Sequence, residues 1–248
     1  PRQKGKIGIT IISPWFVPRD QTAASHRASY RALEFLFGWF ADPITYGDYP
    51  KSMRANVGNR LPKFTKAQSN LLKGSYDFLG LNYYTAFYAE HAPFSNSLNK
   101  SYDGDRKATL TSYKNSTPIG TPTALSWLFT YPRGLQELLL YIKAKYNNPP
   151  IYITENGMAD VNNSSLPIKE ALKDSSRIRY HHGHLSHLLK AVKQGVNVKG
   201  YYVWCFWDDF EWDSGYTIRF GLTFVNFKNK LERYLKYSAY WYKMFLLH

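Results

Sequence analysis

The chain has 248 residues, 44% of them hydrophobic, 17% aromatic and 20% charged, enough to bury a large core and too apolar to stay disordered. A formal charge of +14 raises a nucleic-acid partner, but the 32 Lys and Arg are scattered with no dense basic block, and that partner is set aside. No run of 18 apolar residues occurs, so no membrane span is expected, and no signal-peptide pattern opens the chain.

Taken in order, "KIGITII" (6–12) predicts a strand and residues 22–41 a helix. Ala32, Leu33, Leu36, Trp39 and Phe40 recur there at helical spacing, and Asp42-Pro43 should stop it. "YDFLGLNYY" (76–84) predicts a second strand. A polar loop covers roughly 95–118, and "YPRGLQELLLYIKAKY" (131–146) is a helix with Pro near its first turn. "PIYIT" (150–154) is the third strand. Its helix covers 168–194, with Leu185, Leu188, Leu189 and Val192 on one face and Gly195 capping it. "VKGYYVWCF" (198–206) is the fourth strand, and 231–247 closes as a helix.

Strands alternating with helices imply parallel pairing with right-handed crossovers, and strands apolar on both faces suit a buried sheet. A doubly wound sheet and a β/α barrel both fit. No glycine-rich phosphate turn follows a strand, which weakens the nucleotide-binding version. Polar residues do gather at the strand C-termini, as in a barrel: Asn82 and Tyr84, then Glu155 and Asn156, then Asp208, Asp209 and Glu211. Only about four βα units are present, so the expected fold is α/β, the C-terminal half of a (β/α)8 barrel, in one domain over 1–248.

Of seven glutamates, only Glu155 and Glu211 fall at or just beyond strand ends. Paired carboxylates hydrolyse acetals, one at the anomeric carbon and one protonating the leaving oxygen. Trp204, Trp207, Trp212 and Phe220 surround Glu211 in sequence, and aromatic rings stack on sugar faces. The competing reading is that the aromatics are core and the carboxylates salt-bridged. Both stand on the residues alone.

The segments "GKIGIT", "FGWFADPITYGDYP", "GNRLPKFT", "DFLGLNYYT", "PPIYITENG" and "WCFWDDFEWDSGYTIRFGL" together resemble the C-terminal half of plant β-glucosidases of glycoside hydrolase family 1. The resemblance implies a β/α barrel that hydrolyses β-glucosides with retention, through a covalent glycosyl-enzyme and without a cofactor. It implies that Glu155 is the nucleophile and that Tyr84 orients it. Asn82, Trp204, Glu211 and Trp212 would bind the sugar, and Trp127 and Phe220 the aglycone. It also moves Glu211 from partner acid to sugar ligand. The family's acid/base lies in an Asn-Glu-Pro motif, and no such motif occurs here. The alternative is a non-catalytic sugar-binding fragment. The family often has Ser where Cys205 stands and Asn where Asp209 stands.

Other signals carry less. His181, His182, His184 and His187 could gather a metal, but a solvated face with local packing is expected, and no metal. Asp208, Asp209, Glu211 and Asp213 lack calcium-loop spacing. The single cysteine, Cys205, is expected to be a buried inert thiol. Asn99, Asn115, Asn162 and Asn163 each open an Asn-x-Ser/Thr sequon, which favours a secretory or vacuolar route, though chance also produces such matches. The expected partner is a small-molecule β-glucoside, and the sequence leaves homo-oligomerisation of the full-length form open.

Overall fold

A computed structural model describes residues 3–92 and 100–247. Its centre is four strands: β1 (Gly8–Ile12), β2 (Phe78–Asn82), β3 (Ile151–Glu155) and β4 (Val198–Tyr201). All neighbours pair in parallel, in sequence order β1-β2-β3-β4. The register slips between Ile153 and Glu155, so that Glu155 comes level with Asn82 at the C-terminal rim.

The longer helices are α1 (Ala23–Leu33), α2 (Trp39–Tyr46), α3 (Pro132–Lys145), α4 (Ser175–Lys193) and α5 (Tyr237–Leu246). Thr22 caps α1 by accepting from the Ser25 amide, and Pro132 occupies the first turn of α3, where its missing N–H costs nothing. One sheet face packs on this layer. Ile11, Leu79, Leu81, Ile151 and Ile153 join Leu33, Leu135, Leu138, Leu139 and Ile142 in a single buried cluster.

The other face departs from expectation. Ile12 is 53% exposed and Tyr152 only half-buried, although the strand sequences are apolar on both faces. Four strands cannot curl far enough to cover their own concave side; an eight-stranded barrel can.

Four predicted boundaries shift. The helix expected over 22–41 passes through a π-helical turn (Glu34–Gly38), and Asp42-Pro43 does not stop it: α2 continues to a left-handed Gly47. The extra residue per turn rotates the apolar stripe, burying Phe35 and Phe37 and leaving Trp39 and Phe40 at the surface. The helix expected over 168–194 is split into Ile168–Ala171 and α4. Strand β4 ends at Tyr201 rather than 206, because the Trp204 amide leaves the sheet to bond the Asn156 carbonyl. The closing helix begins only at Tyr237. Glu232–Leu235 instead forms an antiparallel hairpin with Thr223–Asn226.

The packed face of α4 also differs. Leu188 is buried and Leu185 is half-buried, but Leu189 and Val192 are exposed, and the buried set is Arg177, Tyr180, His181, His184, Leu188 and Ala191. Polar side chains occupy that face because they find partners at the strand ends. The loop expected over 95–118 falls partly outside the described residues. The remainder contains a short helix (Tyr102–Arg106) and a strand (Ala108–Thr111) paired with Ala86–His91.

Candidate active site

The turn after β3 is built from three consecutive residues with separate tasks. Glu155, half-buried, projects at the strand exit and accepts a 2.5 Å hydrogen bond from the Tyr84 hydroxyl. Asn156 is fully buried, and Gly157 lies so close to the Trp204 carbonyl that any Cβ would overlap it. Only glycine lets these two chain segments cross.

Asn156 ties the rim together. Its amide donates to the Tyr83 carbonyl (2.7 Å) and the Tyr180 hydroxyl (3.1 Å) and accepts from the Tyr201 hydroxyl (2.6 Å). Tyr180 in turn donates to the Tyr84 carbonyl at 2.9 Å. The backbone of Tyr84 is thus fixed by the residue next to Glu155. Burial, then the hydrogen bond to Glu155, raises the Tyr84 hydroxyl pKa, so it stays protonated and donating.

Trp127 and Phe220 flank Tyr84 edge-on, with ring centroids 6.2 and 6.1 Å away. Their environments differ. Trp127 is 42% exposed and offers an open indole face, whereas Phe220 is 2% exposed. Phe220 therefore packs behind Tyr84, whereas the expected aglycone contacts of both rings remain expectations drawn from the resemblance. Asn82 accepts from the Thr154 hydroxyl at 2.6 Å.

Glu211 lies in the loop after β4. Burial raises its carboxyl pKa, against a hydrogen bond from Trp204, and the charges of Asp209, Glu155 and Asp213 add to the rise. Glu211 and Gly215 exchange backbone hydrogen bonds of 2.8 and 3.0 Å, closing a tight loop that holds Trp212 in the left-handed region (φ 40°) and 81% exposed. Such a conformation costs a bulky residue about 1–2 kcal/mol.

A buried ion cluster clamps the base of this loop. Asp208 accepts from Arg219, from Lys236 (2.9 Å) and from the amides of Gly221 (2.9 Å) and Val225 (3.2 Å). Nearby, Arg177 bridges Asp160 (2.6 Å) and Asp174 (2.7 Å) and donates to the Arg219 carbonyl (2.9 Å). Burial and the charge of Arg177 push Lys236 down to about 8, against the pull of Asp208.

The remaining five glutamates are engaged elsewhere: Glu34 with Lys145, Glu90 with Arg19, Glu137 with Arg133, Glu170 with Lys173, and Glu232 with Tyr234. Among the described residues, no group of three or more His, Cys, Asp or Glu is placed to hold a metal ion, and no helix is long and apolar enough to cross a membrane. Cys205 is buried, and burial followed by the charges of Asp209 and Asp208 raises its pKa.

The histidine cluster is split: His182 is exposed and His187 half-buried, as a solvated face would have them, while the other two are packed inside. His181 and His184 are buried, and their tautomers follow from their partners. The Tyr201 hydroxyl spends its proton on Asn156, so His181 Nδ1–H donates to it (2.8 Å); His184 Nδ1–H donates to the Tyr180 carbonyl (2.7 Å). Each Nε2 is left a bare, buried lone pair. Burial pushes His184 down to about 3 and His181 well below its usual value. The unfolded chain binds these protons near pH 6.5 and the native state does not, so stability is full above about 6.5 and falls toward pH 3. His184 alone should remove about 2 kcal/mol by pH 5. Thermal melts of the full-length protein at pH 7 and pH 5 should show that loss, reduced in His184→Gln relative to its own pH 7 value; a pH-independent melt would refute it.

Tyr180, Tyr201, His181 and Lys236 escaped the sequence reading as site residues. Their partners lie 20 to 96 residues away along the chain, and no local spacing announces them.

A sequential parallel βα sheet with carboxylates and aromatics at its C-terminal rim defines a partial (β/α)8 barrel with a strand-end active-site architecture. The family model for glycosyl hydrolase family 1 matches residues 1–247, and the chain belongs to that family. It is 56% identical over 99% of its length to Beta-glucosidase 12 of Oryza sativa subsp. japonica, covering 48% of that relative. To the Raucaffricine-O-beta-D-glucosidase of Rauvolfia serpentina it is 48% identical over 96% of its length, covering 45%. The rice Os3BGlu6 Beta-Glucosidase structure superposes with a TM-score of 0.96 at 45% identity, over 98% of this chain and 51% of that one. The chain spans about half the length of the relatives it matches.

Proposed function

We propose that this chain is the C-terminal half of a retaining β-glucosidase and supplies its nucleophile, Glu155. The observation that carries the reading is the Tyr84–Glu155 hydrogen bond at the rim of the parallel sheet. A carboxylate that attacks an anomeric carbon must be held in one orientation, and a hydroxyl that donates without losing its proton does this. Attack forms a glucosyl ester on Glu155 as the aglycone leaves, and water then hydrolyses the ester. A mutant of the rice Os3BGlu6 Beta-Glucosidase has been solved in a covalent complex with Glc, consistent with such an ester in the family.

In this reading Glu211 and the exposed Trp212 hold the sugar, with Trp204 beneath it, Asn82 contributes at the rim, and the Trp127 face receives the aglycone. A 2-deoxy-2-fluoro glucoside with a good leaving group should trap the ester in the full-length protein. Peptide mapping should place the label on Glu155, and a label on Glu211 would reverse the assignment.

Trp127→Ala should raise KM and lower kcat/KM for aryl glucosides by roughly 10-fold or more, the loss of a stacked aromatic contact. Alkyl glucosides should change little. Equal losses for both classes would remove Trp127 from the aglycone site.

A further inference from the structure

Three of the four sequons lie within the described residues, and their surroundings differ; Asn99 lies outside them. Asn162 is half-buried with both ends of its amide committed. Its Nδ2 donates to the Tyr216 carbonyl (2.7 Å), and its Oδ1 accepts from Arg219 Nε (2.9 Å). The same Arg219 grips Asp208, so a group attached at Asn162 would disturb the clamp beneath the Glu211 loop. Asn163 is exposed, but its Oδ1 accepts from the Ser165 amide (3.0 Å) in a local turn.

Asn115 is placed otherwise. Tyr113–Lys114 and Thr117–Pro118 form a short antiparallel ladder, and Asn115 and Ser116 are the two residues of its turn. Both adopt left-handed backbone, φ 49° and 62°, the geometry of a two-residue hairpin turn that matches strand twist. Asn tolerates that region better than most residues. Residues 113–117 are all exposed, and the Asn115 amide makes no hydrogen bond among the described residues. The hydroxyl that completes the sequon, on Thr117, begins the return strand beside it.

We propose that Asn115 is an acceptor for an N-linked oligosaccharide and that Asn162 is not. A bond forms between Asn115 Nδ2 and the anomeric carbon of the donor's reducing-end sugar. The bond from that carbon to the diphosphate of a lipid-linked donor breaks, the lipid diphosphate leaves, and the amide releases one proton to the transferring enzyme. At the hairpin tip the glycan extends into solvent and displaces no native contact. At Asn162 it would break two.

The test is to express the full-length protein behind a cleavable leader in a eukaryotic secretory host. Glycans are then released with an amidase in heavy-oxygen water, which marks each occupied Asn as a labelled Asp. Asn115 should carry the mark and Asn162 should not. Asn115→Gln and Thr117→Ala should each remove one glycan's worth of gel mobility shift; Thr117→Ala keeps Asn at the turn and so separates sequon loss from turn damage. Asn162→Gln should leave the shift unchanged. An unmarked Asn115 in the secreted protein, or a marked Asn162, overturns the proposal.

Discussion

Glu155→Gln in the full-length protein should lower kcat on aryl β-glucosides by a factor on the order of 10⁴ or more. The amide is nearly isosteric, and its oxygen still accepts from Tyr84, so the rim keeps its shape. It cannot attack the anomeric carbon, and it cannot carry the charge that the oxocarbenium-like transition state needs. The melting temperature should shift little, because Glu155 is half-buried and the Asn156 network stays intact. Activity within tenfold of the parent would rule out Glu155 as nucleophile, whatever the geometry around it.

The second large effect concerns the chain of residues 1–248 on its own, which we expect not to turn over nitrophenyl β-glucosides. Retaining chemistry needs two carboxyl groups roughly 5 Å apart. On the proposed reading Glu155 is one and Glu211 holds the sugar, and the other five glutamates are paired elsewhere. Without a general acid the aglycone leaves as an oxyanion, a loss of roughly 10² to 10⁴ in rate. Among the described residues, strands β1 and β4 each pair on one side only, and apolar residues such as Ile12 are left exposed, so this chain should aggregate unless complemented. Co-expression with the N-terminal half of a relative should restore both solubility and turnover. A soluble monomer of 1–248 working at ordinary enzymatic rates would sink this expectation and make Glu211 the acid.

The sheet was legible because each strand is a short apolar run bounded by a helix pattern, and its order follows from βα alternation alone. The position of Glu155 at a strand exit was legible because the apolar run of β3 stops there and a turn follows at once. What the sequence hid were features set by distant partners. Glu232–Leu235 reads as the first turn of a helix until Thr223–Asn226 claims it as a strand. Asp42-Pro43 reads as a helix stop, but the π-helical turn just before it makes room for proline to enter a new helical segment. Phe220 lies among exposed aromatics in sequence yet folds behind Tyr84. Of the four histidines, His182 lies at the surface as expected, but His181 turned out to be a buried hydrogen-bond donor, a role fixed only once Tyr201 and Asn156 are in place.

The clamp on Asp208 also bears on how such a protein can diversify. The base of the Glu211 loop is locked by buried ion pairs and two backbone amides, so substitutions there carry a heavy stability penalty and are purged. The outward side chains of the same loop, Phe206, Trp207 and Phe210, are 62%, 48% and 63% exposed, and changing them removes little native packing. Selection can therefore explore new contacts at the tip while the base stays fixed. The exposed aromatic positions can thus change at little stability cost, without rebuilding the fold beneath them.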